Sequence, residues 1–145
     1  FILRAQHATY VGSGQPSLSY RQGSHDLQFA EGEWAYHDSY FGGSAFIGEE
    51  TVYFNGKPVW AANYYGRVLD PAKISGAQAG QVIKASLTKM YAEERFLGGF
   101  EHTEGEYTYF DTSEGEVSSF TGYEWITRGG EKVYELFYHG GLIKD

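Results

Sequence analysis

Cysteine is absent from this 145-residue chain, which excludes disulfide frameworks, thiolate zinc sites and cysteine nucleophiles. Any metal would have to use histidine and carboxylates, and a reducing cytoplasm suits such a chain. Proline occurs only three times, and no linker or low-complexity segment interrupts the sequence. Positive charge is also scarce: 11 Lys and Arg stand against 19 Asp and Glu, for a formal net charge of −8. With no basic run to offset that balance, direct nucleic-acid binding is not expected. No stretch approaches about 18 consecutive apolar residues, and the N-terminus lacks the basic-then-apolar build of a signal peptide, so no membrane association is expected either. Nor does the chain repeat at a solenoid period. It begins at Phe1, which suits a processed product, an excised domain or part of a longer protein.

What the chain has in excess is aromatic residues and glycine. Thirteen Tyr and ten Phe are interspersed with 20 Gly, a pattern of short strands joined by tight turns. At this length one domain, 1–145, with one core is expected. Phe1, Ile2, Ala5 and Ala8 are spaced for a short N-terminal helix, which the Gly, Ser and Pro of VGSGQPS (11–17) would end. From Asp26 the period becomes two. A hairpin with a turn at Glu31-Gly32 puts Trp34, Tyr36, Asp38 and Tyr40 on one face. A second hairpin turns at Asn55-Gly56, the strongest short hairpin signal in the chain. Ala79, Val82, Ile83, Ser86, Leu87 and Met90 form one stripe of an amphipathic helix within 75–95. FLGGFEHTEGE (96–106) reads as a loop, and strands 106–112, 116–127 and 131–139 follow, with turns at Glu114-Gly115 and Gly129-Gly130. The expectation is an α+β fold: a single curved antiparallel sheet of about seven strands in three hairpins, packed around one main helix.

Register then selects candidate residues. A two-residue turn at Asn55-Gly56 pairs Gly48 with Asn63 and Glu50 with Ala61, which places Glu50 and Asn63 on one face beside small neighbours. The Gly129-Gly130 turn sets Glu124 opposite Glu135 and Phe120 opposite His139, a wall that also takes in Tyr107, Tyr109, Asp111 and Phe137. Phe110, Tyr123, Trp125, Leu136 and Tyr138 then form the reverse, core face, and a one-residue slip would exchange the two. His25-Asp26 is a weak catalytic dyad because neighbours on a strand point to opposite faces. Asp38, a carboxylate among aromatics, needs hydrogen bonds, commonly from Tyr hydroxyls. The five histidines show no metal-binding spacing, so no metal or other cofactor is expected. The serines lack a nucleophile elbow, and the glycines of YFGGSAFIG do not open a helix as a phosphate loop would.

The stretch GSHDLQFAEGEWAYHDSYFGGSAFIGEETVYFNGKPVWAANYYGR (23–67), with VYELFYHGG (133–141), resembles a bacterial domain family of unknown function. Its most specific words are DSYFGG (38–43), FIGEE (46–50), PVWAANYYGR (58–67) and YHGG (138–141); the family commonly has Met where Ala62 stands. The resemblance implies a small cytoplasmic α+β domain, found alone or fused behind a lambda-repressor-like helix-turn-helix domain, with no activity to carry over.

The reading is a small-molecule or peptide binding module, with Asp38, Tyr40, Glu50, Asn63, Tyr65 and His139 as polar contacts on an aromatic-lined sheet. The negative balance favours a cationic or neutral ligand over a phosphate. The alternative is a small enzyme in which Glu50 or Asp38, its pKa raised by burial, acts as general base with Tyr40 or His139 as acid. A homodimer is compatible with either reading.

Overall fold

The computed structural model describes residues 1–12, 16 and 18–145; Ser13 to Gln15 and Ser17, in the segment expected to end the first helix, lie outside the described residues. Eight strands form one antiparallel sheet: β1 (His25–Glu31), β2 (Trp34–Gly42), β3 (Ala45–Phe54), β4 (Lys57–Val68), β5 (Phe100–Glu104), β6 (Tyr107–Glu116), β7 (Ser119–Arg128) and β8 (Glu131–Leu142). Their order is β1-β2-β3-β4-β8-β7-β6-β5, so β4 and β8 meet at the centre. Two helices are described, α1 (Ile2–Gln6), which runs on into a π-helical turn at His7–Val11, and α2 (Gly76–Tyr91).

The fold is therefore mostly sheet, which corrects the expected α+β arrangement of about seven strands around one main helix with a short N-terminal one. The eighth strand, β5, comes from FEHTE in the segment read as a loop; its alternation is polar, and pairing with β6 rather than an apolar pattern makes it a strand. The turn expected at Glu114-Gly115 falls instead at Val117-Ser118, between the closing pair Glu116 and Ser119. That shift preserves parity, so Asp111 and Glu124 share a face and pair directly. In α2, Ser75 caps the N-terminus in a capping box with Gln78, and of the expected stripe Ala79, Val82, Ile83, Ser86 and Met90 are buried and Leu87 partly so.

Two β-bulges decide which residues face inward. The Asn55-Gly56 turn holds its register for only two pairs, Phe54 with Lys57 and Tyr53 with Pro58. Val59 is then left over, Val52 pairs with Trp60, and every later partner moves by one residue. At Gly129-Gly130 the same thing happens: Val133 is left over and Ile126 pairs with Tyr134. Glu49 rather than Gly48 consequently faces Asn63, and Trp125 rather than Glu124 faces Glu135.

The matching bulges belong to a wider internal repeat. At an offset of 74 residues, Phe46, Gly48, Glu50, Val52, Val59, Tyr64 and Gly66 recur as Phe120, Gly122, Glu124, Ile126, Val133, Tyr138 and Gly140. At 73, Tyr36 and Asp38 recur as Tyr109 and Asp111. Each half is thus a helix followed by four strands, and the halves are joined along β4 and β8. The core divides in the same way. Ala5 packs with Tyr36, Val52 and Trp60, while Ala79 packs with Tyr109, Ile126 and Tyr134, the residues at equivalent positions. Among the described residues no helix is long and apolar enough to cross a membrane.

Candidate functional site

Between the sheet and the helical segments lies a cavity of about 320 Å³. Its wall includes Asp38 from β2 and Asp111 from β6, strands five spacings apart in the sheet, or about 24 Å if the sheet were flat. One cavity reaches both because the sheet bends around it. Gln6 and Tyr10 close it from the N-terminal segment, and Ile83, Leu87, Met90 and Tyr91 from α2.

Four carboxylates line this space: Asp38 and Glu50, directly paired across β2 and β3, and Asp111 and Glu124, directly paired across β6 and β7. All four side chains are buried or nearly so, and no Lys, Arg or His is among the lining residues. Each Asp is held in the same way. Tyr64 on β4 donates to Asp38 Oδ1 at 2.6 Å by crossing over β3, and Tyr138 on β8 donates to Asp111 Oδ1 at 2.7 Å by crossing over β7. The residue crossed is a glycine in both halves. A Cβ on Gly48 would stand 2.4 Å from Tyr64 Oη, and one on Gly122 would stand 1.9 Å from Tyr138 Cζ.

The glutamates differ more. Tyr109 donates to Glu124 Oε2, and Tyr134 reaches Oε1 at 3.4 Å. Gln6 Nε2 donates to Glu50 at 2.9 Å, whereas the Tyr36 hydroxyl lies against Glu50 without closing a hydrogen bond of normal geometry. Burial drives the acidities. It pushes Glu124 up to about 8, with the Asp111 charge adding and the tyrosine hydroxyls opposing. Burial, then the Asp38 charge, raises Glu50 to about 7. Asp38 and Asp111 are each raised to about 6 by burial, tempered by Tyr64 and Tyr138 respectively. Desolvation of a carboxylate disfavours the charged form, and the nearby Arg95 charge offsets it only in part at Asp111.

Of the six residues singled out from sequence, the structure brings Asp38, Tyr40 and Glu50 together at the cavity. The bulge at Val59 turns Asn63 and Tyr65 outward, and the one at Val133 does the same to His139. Asn63 borders the wall, but its amide donates to Glu49 at 3.0 Å on the outer face. Tyr65 is 41 % exposed in an outer row with Phe41, Ile47, Phe137 and Tyr123. His139 is exposed, opposite Asn63 and Thr121. The wall expected around Glu124 splits likewise: Tyr109, Asp111, Phe120 and Glu124 face inward with Leu136 and Tyr138, while Glu135, Phe137 and His139 face out with Phe110, Tyr123 and Trp125. Asp111 and Glu124 thus join the candidate site, and their signals in the sequence were the recurrence of YxD at 36–38 and 109–111 and of FxGxE at 46–50 and 120–124.

The neighbours His25 and Asp26 part as strand geometry requires. His25 is exposed against Tyr40, while Asp26 is buried and accepts from Ser24 Oγ at 2.6 Å, with His37 Nε2 at 2.7 Å. Burial alone would raise the Asp26 carboxyl, but hydrogen bonds from Ser24, Ser39, His37 and the Tyr20 N–H hold it down at about 2. This network ties β1 to β2 away from the cavity. Among the described residues no group of three or more His, Asp or Glu is placed to hold a metal ion.

The family model described as a domain of unknown function (DUF5680) matches residues 38–143. No curated protein and no solved structure matches the chain.

Proposed function

The chain belongs to the DUF5680 family of domains of unknown function, and on that premise we propose that it is a small-molecule binding module whose cavity takes an organic cation. The observation that carries this reading is a cavity with four carboxylates in its wall, three of them buried and Glu50 partly so, and no basic side chain among its lining residues. Buried carboxylates are costly without a partner charge. An ammonium or amidinium ligand supplies that partner, and the rings of Trp60, Phe96, Tyr64 and Tyr138 offer faces for the rest of it. The volume suits a small molecule better than a folded peptide. The acids repel a phosphate or carboxylate ligand. In members fused behind a helix-turn-helix domain, as the sequence resemblance implies, such a module would sense an effector for a bacterial regulator.

The test is titration with a primary alkylamine, followed by Trp60 fluorescence, between pH 6 and 9. Affinity is expected to rise with pH as the cavity acids give up their protons, and Glu50→Gln is expected to weaken it. Equal binding of an uncharged alcohol of the same shape would overturn the reading.

A second reading rests on the Asp38 and Glu50 pair alone. Two facing carboxyls raised to about 6 and about 7 could divide the tasks of acid and base. In that case Glu50 or Asp38 is the base and Tyr40, at the cavity wall, the acid; His139, on the outer face, does not reach. Loss of turnover in Glu50→Gln with ligand affinity retained would mark an enzyme.

A further inference from the structure

Resting on the cation-binding reading, we propose that the ligand is a linear dication, an α,ω-diamine or polyamine, with one ammonium group at Asp38 and Glu50 and the other at Asp111 and Glu124. The two acid pairs are copies of one device. Each consists of an Asp and a Glu directly opposite on neighbouring strands, a Tyr that crosses a glycine to reach the Asp, and a second Tyr against the Glu. Both copies open on the same cavity. A ligand that uses the whole wall meets the same chemistry twice.

A second observation adds to the acid pairs, and its Gln6 part is independent of them. Two buried polar side chains in the cavity wall have an atom with no hydrogen-bond partner: Gln6 Oε1, on a residue 6 % exposed, and Asp111 Oδ2, on a residue 4 % exposed. Both atoms are acceptors, and each half supplies one. Gln6 belongs to the first half, where its amide nitrogen is already committed to Glu50. An ammonium group carries only donors, with several to place, so each end of a diamine fills the acceptor left open in its half.

Spacing argues for a chain rather than a compact ion. β3, which carries Glu50, and β7, which carries Glu124, lie three strand spacings apart, about 14 Å before the sheet bends. Tyr10, from the N-terminal segment, and Tyr91, from α2, line the same cavity as both acid pairs. Leu87 and Met90 line it too, so the cavity offers aromatic and apolar surface for methylenes.

Calorimetric titration of the whole chain at pH 8 in low salt, with α,ω-diaminoalkanes from four to ten carbons and the monoaminoalkanes of equal length, tests the proposal. One diamine per chain is expected, with affinity rising along the series to an optimum and at least about tenfold above the matching monoamine, because the second contact is intramolecular. Glu50→Gln and Glu124→Gln should each bring the best diamine down to the strength of the monoamine. If the monoamine binds as tightly as the diamine, one to one, the ligand has a single charged head; the inference is overturned while cation binding stands. If no amine of either kind binds, the underlying reading falls too. The wild-type comparison is decisive even if a variant fails to fold.

Discussion

Adding one methyl group to Gly122 should break the second acid device from below. The Tyr138 ring lies flat over this glycine, so a Cβ would sit 1.9 Å from Cζ and 2.2 Å from Cε2. No small shift relieves that overlap, and the ring must leave. Its hydrogen bond to Asp111 goes with it; since Asp111 Oδ2 already lacks a partner, the buried carboxyl is left with none. The lost bond and its orphaned acceptor are worth about 1 to 3 kcal/mol. Displacing an aromatic ring from a packed wall adds about 1 to 3 kcal/mol. Gly122→Ala is therefore expected to cost about 2 to 6 kcal/mol in urea unfolding. The backbone at Gly122 is not in the left-handed region, so in a Tyr138→Ala background the same substitution should be neutral or stabilise by up to about 1 kcal/mol. A double-mutant cycle reads the difference directly. A cost below about 1 kcal/mol in the wild type, or an equal cost in both backgrounds, would refute the crossing as the reason for the glycine.

Two further outcomes follow from the buried acids and from the bulges. Glu50 and Glu124 have folded pKa values of about 7 and about 8, above the ordinary 4.5. The folded state therefore holds protons that the unfolded chain gives up, so this stabilisation is complete below pH 4.5 and is lost as pH rises through 7 and 8. For Glu50 the loss is about 3 kcal/mol. Urea midpoints should accordingly fall between pH 5 and 8.5, less steeply in Glu50→Gln, and a flat profile would contradict the burial argument. Asn63→Ala and His139→Ala, on the outer face, should change stability by less than about 0.5 kcal/mol and leave amine affinity unaltered; a tenfold loss of affinity in either would mean that the inward set is wrong.

Turn chemistry and periodicity carried the sequence reading a long way. Asn55-Gly56 and Gly129-Gly130 do turn, the α2 stripe is buried, and Asp38 has the tyrosine partner that a carboxylate among aromatics needs. What they could not carry was the face beyond each turn. A bulge adds a residue without changing the turn that precedes it, and Val59 and Val133 look like any other strand valine. Yet that one residue exchanged Asn63 for Ala62 and His139 for Tyr138 on the inner side. Self-similarity at 73 and 74 residues, rather than register arithmetic within one hairpin, was the signal that placed Asp111 and Glu124 beside Asp38 and Glu50. It lay outside the solenoid logic because the two copies pair edge to edge about a pseudo-twofold axis instead of stacking. β5 escaped notice for a simpler reason: at a sheet edge, alternation need not be apolar.

The seam between β4 and β8 has the form of the contact in a twofold dimer of half-length chains. In such a dimer every substitution would strike both sites at once, and the two ends of a bound molecule could never be told apart. Fusion into one polypeptide removes that constraint. Gln6 already attends one glutamate where Tyr134 attends the other, and Trp60 stands where its counterpart is a tyrosine. If the cavity takes a ligand as proposed, it would hold an unsymmetrical molecule in one orientation only, with a head and a tail that neither half would possess alone.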